Sequence, residues 1–262
     1  MTGEPSSKSE PLPRPRPDWA YFLDVDGTLL DFAVRPDAVR ADGAVGELVD
    51  RLVARAGGAV ALISGRPIAD IDRFFPGRQL PVAGQHGAER RNAAGDLSHR
   101  APESDRLAVV RELAHEAIAR HPALILEDKG ASIAMHYRAA PELADYVRTV
   151  TTELQQMLGD GWCVQAGKCV VEIVPVGVDK GAAILAFLAE APFRGRTPVF
   201  IGDDRTDEHG FAAVNARGGY SIKVGAGATV AQARLPSVLA VHRWLDQDAT
   251  APLPDIGLTR VS

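Results

Sequence analysis

The sequence predicts an α/β fold: a parallel sheet with crossover helices, interrupted by an inserted α+β unit of order αββαββ. Three observations predict it. Short apolar runs alternate with helical patterns up to residue 84, the rhythm changes over 104–174, and the first rhythm resumes near residue 179.

Residues 19–25 (WAYFLDV) form an apolar run ending in acid and glycine, the pattern of a buried strand with a functional carboxyl end. Residues 37–56 carry Val45, Leu48, Leu52 and Val53 at helical spacing and stop at Gly57-Gly58. Residues 59–63 (AVALI) predict a second strand, ending in Ser64-Gly65-Arg66-Pro67. Residues 68–75 predict a short helix halted by Pro76-Gly77, and 80–84 a third strand leading into Gln85-His86-Gly87.

In the inserted unit, 104–120 and 141–158 read as helices. Strand pairs follow at 123–128 with 131–137, around Lys129-Gly130, and at 162–166 with 169–174, around Gly167-Lys168. Pro102 and Pro175-Val176-Gly177 bound the unit. Then come a helix at 179–190, a strand at 197–201 ending in Gly202-Asp203-Asp204, a helix at 207–215, a strand at 220–224, and helical segments over 229–245 broken by Pro236. The expected organisation is a proline-rich tail (1–17), a core in two parts (18–102 and 177–247), an insert (103–176) and a loose tail (248–262).

Composition narrows the function classes. The 262 residues are 46% hydrophobic and 24% charged, which excludes a mostly disordered chain, a collagen-like fibre or a coiled coil. With 29 basic and 34 acidic residues the net charge is −5, so the basic footprint of a nucleic-acid binder is missing. No apolar run reaches the ~18 residues of a membrane span. The first 17 residues hold five prolines and no signal-peptide core. Cys163 and Cys169 make no disulfide framework or common zinc signature and suit a reducing cytosol, so the expected location is cytoplasmic. The five lysines (Lys8, Lys129, Lys168, Lys180, Lys223) stand against 24 arginines, which marks the survivors as candidates for tasks needing a compact ammonium.

Ligands of open α/β sheets bind outside the carboxyl ends of the strands. Four polar clusters fall there. In Asp24-Val25-Asp26-Gly27-Thr28, the two acids at i and i+2 share one side. Two close carboxylates ionise comfortably only beside a cation, and oxygen donors suit Mg²⁺. Ser64-Gly65-Arg66 offers a hydroxyl and backbone N–H groups to a phosphate oxygen. Lys180 stands at a helix start, where a cation neutralises phosphate charge. Asp203, Asp204, Asp207 and Glu208 put four acids into six positions after an apolar strand, a costly feature unless a cation is present. Each cluster alone also suits an ordinary turn or helix cap.

The order D-x-D-G-T, S-G-R, K-G and G-D-D-x-T-D-E resembles the haloacid dehalogenase (HAD) superfamily of phosphatases, and the insert resembles its C2-type cap. The resemblance implies a Rossmann-like HAD core with a parallel sheet plus an inserted cap. Residues 24–30 (DVDGTLL), 84–87 (GQHG), 127–138 (EDKGASIAMHYR), 168–175 (KCVVEIVP) and 202–208 (GDDRTDE) narrow it to the trehalose-6-phosphate phosphatase family. Two departures stand out: Val25 where that family usually has an aromatic, and Gln85 where it often has glutamate.

The resemblance implies Asp24 as nucleophile and Asp26 as general acid and base. It implies Mg²⁺ held by Asp24, the Asp26 carbonyl and Asp203, phosphate held by Ser64 and Lys180, and Asp207 supporting Lys180 or the metal waters. Asp204 has no settled role. Arg66, His86, Glu127, Lys129, Arg138, Lys168 and Glu172 are the expected substrate-binding residues, with His136 a weaker candidate. Carboxylates accept from paired hydroxyls and Lys or Arg donate back, so a mixed-charge ring suits a disaccharide. The implied substrate is trehalose 6-phosphate, with a functional link to a trehalose-phosphate synthase and no nucleic-acid or membrane partner. The alternatives are a phosphatase of glucosyl- or mannosyl-3-phosphoglycerate or sucrose phosphate, and a non-catalytic sugar-phosphate sensor.

Overall fold

The computed structural model describes residues 13–31, 43–100, 105–167, 169–247 and 259–260. The expected tails lie mostly outside these residues, as do 32–42, the insert's first boundary at 101–104, and Lys168.

Strand β1 (Trp19–Leu23) is buried along its whole length. Trp19, Tyr21 and Leu23 join one apolar cluster, while Ala20 and Phe22 join another on the opposite face. Such a strand belongs in a parallel sheet covered by helices on both sides. The chain supplies that sheet through α1 (Gly43–Arg55), β2 (Val60–Ile63), α2 (Ile68–Phe74), β3 (Val82–Gly84), β4 (Glu89–Arg91) and β5 (Leu97–His99). It then makes α3 (Leu107–Ala119), β6 (Ile125–Asp128), β7 (Ile133–His136), α4 (Ala144–Leu158), β8 (Trp162–Gly167) and β9 (Val170–Pro175). The remainder is α5 (Lys180–Leu188), β10 (Thr197–Gly202), α6 (Asp207–Asn215), β11 (Tyr220–Val224), β12 (Ala233–Leu235), α7 (Val238–Leu245) and β13 (Thr259–Arg260).

The large sheet runs β13-β12-β11-β10-β1-β2-β3-β4-β5. Its pairs from β12 to β3 are parallel, and its outer pairs are antiparallel. Leu48 and Leu52 of α1, Ile68 and Ile71 of α2, and Val241 and Trp244 of α7 cover one face. Ile184 and Phe187 of α5 and Phe211 and Val214 of α6 cover the other. Phe22 stacks on Phe193 there at 5.5 Å. Full burial of such a side chain contributes about 1.5–3 kcal/mol.

The small sheet, β6-β7-β9-β8, is antiparallel throughout. Its apolar face, with Ile133, Met135, Val171 and Ile173, packs with Val110 and Ala114 of α3 and Val147 and Leu154 of α4 into a separate cluster.

Three regions differ from the sequence expectation. Residues 233–235 form a strand rather than part of a helix, because Ala233 and Leu235 bury on one face beside β11. Helix α7 starts afresh after Pro236, capped by the Ser237 hydroxyl, which accepts from Ala240 N–H at 3.3 Å. The β4–β5 hairpin extends the sheet with mostly polar residues, half-buried in β4 and exposed in β5, that carry no apolar alternation. Residues 259–260, expected in a loose tail, pair with β12 at the other edge.

Candidate active site

The chain leaves β1 toward β2 on one side and reaches β10 on the other, so the strand order reverses between β1 and β10. The carboxyl ends at that reversal form a crevice. Asp24 follows β1 and Asp203 follows β10, both at its rim.

Asp24 has the parity of Phe22 and therefore points toward α5 and α6. Lys180 opens α5, and its ammonium donates to Asp24 Oδ1 at 2.8 Å and to Asp207 Oδ1 at 2.7 Å. All three side chains are buried. A cation at a helix N-terminus opposes the helix dipole, so the two carboxylates must offset both that and desolvation. They do: burial pulls the ammonium down, but Asp207 and Asp24 outweigh it and hold Lys180 charged. Burial pushes Asp24 up to about 7 and Asp207 up to about 8, with Lys180 drawing both back.

Asp207 organises the loop after β10. Its Oδ2 accepts the N–H groups of Asp203 and Asp204, both at 2.9 Å. Gly202 makes room for this: an added Cβ would lie 2.3 Å from Asp207 Cγ. Asp204 Oδ1 accepts from Thr206 N at 2.8 Å, Thr206 Oγ1 at 2.7 Å and Asp207 N at 3.2 Å, so it ties down the turn that leads into α6. Burial would raise Asp204, yet Lys180 and these donors bring it down to about 2. Asp203 is left facing the crevice, pushed up to about 6 by burial and by Asp207 and Asp204. Lys223, buried at the end of β11, donates to the Asp203 carbonyl. Sequence reasoning assigned Lys223 no task, although a lysine inside the apolar strand YSIKV was the available signal.

Ser64, at the end of β2, is 1% exposed. Its Oγ accepts from Arg66 N–H at 3.1 Å, which leaves the hydroxyl proton for a ligand. Arg66 grips both carboxylate oxygens of Asp26, Nε to Oδ2 at 2.6 Å and Nη2 to Oδ1 at 2.7 Å. The substrate-binding expectation for Arg66 thus meets a side chain already engaged by Asp26. His86 lies over Gly65, where an added Cβ would sit 2.7 Å from the imidazole. Burial and the Lys180 charge push His86 down to about 4, so the ring is neutral, and its Nδ1 is buried without a partner among the described residues.

The polar face of the small sheet carries the other expected residues. Register places Glu127, Ala134, Glu172 and Gln165 in one row across four strands. Lys129 Nζ donates to Glu172 Oε1 at 3.1 Å, and Ser132 Oγ donates to the same oxygen at 2.6 Å. Glu127 lies 2.9 Å from His136 Nε2, which holds its carboxyl below the usual range. Arg138 is exposed just past β7 and has no ion pair among the described residues. Lys168 lies outside the described residues. Gln165 is an addition that only the register reveals.

Asp24, Asp203 and Asp207 bring ligand oxygens within 4.8 Å of one another. Both Asp207 oxygens already accept hydrogen bonds, so Asp24 and Asp203 are the pair left for a cation. The elevated Asp24 and Asp203 carboxyls are what a missing positive charge would relieve, and the all-oxygen donors suit a hard divalent ion. The crevice therefore fits a divalent cation, an anion held by Ser64 and Lys180, and attack by a buried carboxylate.

Nearly the whole chain is similar to known proteins. The trehalose-phosphatase family model matches residues 22–237. The chain is 44% identical over 249 residues to trehalose-6-phosphate phosphatase of Escherichia coli (strain K12), covering 93% of this chain and 92% of that protein. The crystal structure of a trehalose-6-phosphate phosphatase related protein superposes with TM-score 0.72 at 26% identity, over 86% of this chain and 95% of that one. A haloacid dehalogenase-like hydrolase from Bacteroides thetaiotaomicron shares the fold, with TM-score 0.57 at 18% identity over 79% of this chain and 88% of that one. No helix among the described residues is long and apolar enough to cross a membrane.

Proposed function

The chain belongs to the trehalose-phosphatase family, and from that premise we propose that it hydrolyses trehalose 6-phosphate to trehalose and phosphate. The observation that carries the mechanism is the buried Asp24–Lys180–Asp207 bridge at the sheet's reversal. Asp24 attacks phosphorus with the oxygen not held by Lys180. The bond to the sugar oxygen breaks, and that oxygen takes a proton from Asp26. The aspartyl-phosphate on Asp24 is then opened by water, whose proton returns to Asp26, releasing phosphate and restoring the carboxylate.

Ser64 donates its free hydroxyl proton to a phosphate oxygen, and Lys180 holds a second. Arg66 aims Asp26 beside the phosphate loop. A bound phosphate competes for the same guanidinium, which frees Asp26 to exchange its proton with the substrate. Asp24, the Asp26 carbonyl and Asp203 are the groups that would hold Mg²⁺. When bound, the ion shields the nucleophile from the phosphate's charge and supports the transferring group.

Glu127, Lys129, Arg138, Lys168 and Glu172 read the sugar hydroxyls, with neutral His86 between them and the phosphate. In this reading residues 18–102 and 177–247 form the core and 103–176 the cap, which shields the transfer from water. Two free thiols, Cys163 and Cys169, support a cytoplasmic setting, where a trehalose-phosphate synthase would supply the substrate.

The test is phosphate release from trehalose 6-phosphate, sucrose 6-phosphate, glucose 6-phosphate and glucosyl-3-phosphoglycerate, each with Mg²⁺ and with EDTA. The expected result is an EDTA-sensitive preference for trehalose 6-phosphate. Preference for another ester would overturn the reading of the cap, and no release from any would overturn the enzyme reading.

A further inference from the structure

Gln85 follows β3 directly, and its surroundings give its side chain a task. Gln85 and His86 both adopt the left-handed region, at φ 48° and 58°. Two successive non-glycine residues there are strained, and such strain persists only where the surroundings over-determine it. Backbone bonds pin the turn to the phosphate loop: Gln85 N donates to Arg66 O at 3.0 Å and His86 N to Ser64 O at 2.9 Å. The strain therefore aims the Gln85 side chain, which is 6% exposed, away from the core sheet and toward the small sheet.

There it completes a chain of hydrogen bonds that converges on the Glu89 carboxylate from both ends. Ile68 N–H, at the start of α2, donates to Glu89 Oε2 at 3.1 Å. The Gln85 amide nitrogen donates to Glu89 Oε1. Gln85 Oε1 accepts Ala131 N–H at 2.8 Å, a donor shared with the Lys129 carbonyl at 3.1 Å. The amide orientation follows from its partners, since Glu89 only accepts here and Ala131 N–H only donates.

Ala131 lies in the turn between β6 and β7. Lys129 N donates to Ser132 O at 3.0 Å to close that turn, and both residues place their side chains on Glu172. Arg111 of α3 holds the same turn from the other side, through Asp128 at 3.0 Å and the Gly130 carbonyl. The turn is thus gripped from the insert by Arg111 and from the core by Gln85.

We propose that Gln85 is a positioning residue: its amide clasps the β6–β7 turn and seats the Lys129–Ser132–Glu172 cluster over the phosphate site. This rests on the reading of the cap as the sugar-binding element. It adds a link from the phosphate loop to that cluster, made by a residue that touches neither phosphate nor sugar. The clasp serves a substrate large enough to span both halves. A small ester held by Ser64 and Lys180 alone does not need it.

The test uses Gln85→Leu and the exchange Gln85→Glu with Glu89→Gln. The exchange keeps every bond with the two side-chain types swapped. The new amide at position 89 donates to the new carboxylate at position 85, that carboxylate accepts Ala131 N–H, and the amide oxygen at position 89 accepts Ile68 N–H. For Gln85→Leu the expected result is a loss of about tenfold in kcat/KM for trehalose 6-phosphate, mostly in KM, from the lost hydrogen bond to Ala131 N–H. Turnover of p-nitrophenyl phosphate stays unchanged. Amide exchange over residues 129–132 in the substrate-free protein quickens. The exchanged pair restores all three readouts, which separates a lost clasp from a damaged turn. Equal losses on both esters, unaltered amide exchange, or no restoration by the exchanged pair would overturn the proposal. If the unaltered enzyme prefers another ester, the sugar reading fails, while the amide-exchange result still decides the clasp.

Discussion

The end of the large sheet and the polar face of the small sheet both gather charged residues, but they hold them differently. At the crevice, Lys180 is 3% exposed and its partners Asp24 and Asp207 are 6% and 0% exposed. On the small sheet, Glu127 and His136 are 50% and 36% exposed, and Lys129 and Glu172 retain 15% and 13%. Buried charges are costly and break badly when one partner goes, whereas a half-solvated pair such as Glu127 and His136 exchanges partners at little cost. The difference teaches a division of labour. Rigid, interlocked charges suit a reaction common to many phosphate esters, and adaptable charges suit the recognition of one alcohol.

The comparison breaks first at its centre. Asp24→Asn keeps size and the contact with Lys180 but removes the proposed nucleophile. Phosphate release should fall by about 10⁴-fold or more on every ester, with circular dichroism unchanged. Residual activity of a few per cent would sink the assignment. Next, Lys180→Ala strands two buried carboxylates, so denaturant unfolding should show a loss of about 3–5 kcal/mol. A loss below about 1 kcal/mol would mean the three charges are independent.

A smaller effect sharpens the electrostatic contrast. In the metal-free fold, Asp203 and Asp24 titrate near about 6 and about 7, above their ordinary 3.8. The folded chain therefore holds more protons than the unfolded chain across that window. The stability from these groups is full below pH 4 and is lost as pH rises through 6 to 7. The melting temperature without metal should drop over that range, and added Mg²⁺ should raise it more at pH 8 than at pH 5. An equal Mg²⁺ effect at both would contradict the placement of the cation at these carboxylates.

Much of this was legible in the sequence, for physical reasons. A strand such as β1, buried on both faces, is a continuous apolar run, and DVDGT at its end stands out against it. The insert's strands read clearly because Leu126, Ile133, Met135, Val171 and Ile173 recur at every second position, with Glu127, His136 and Glu172 on the alternate ones. What failed was local pattern without tertiary context. The β4–β5 hairpin is mostly polar and at most half-buried, so neither periodicity marks it. Residues 233–235 are too short to show alternation beside Pro236. Partnerships were the least legible of all: that Arg66 holds Asp26, that Lys223 holds the Asp203 carbonyl, and that Gln85 reaches Ala131 depends on segments far apart in the chain.

The division of labour is tested most directly by one ratio, kcat/KM for trehalose 6-phosphate over kcat/KM for p-nitrophenyl phosphate, in Ser64→Ala and Glu172→Ala side by side. Ser64→Ala removes the proposed donor to the shared phosphate, so both constants should fall by about 10–100-fold and the ratio should hold. Glu172→Ala removes the residue joining Lys129 and Ser132, so the ratio should fall by about tenfold or more through loss on the disaccharide ester alone. The same change of ratio in both variants would contradict the account.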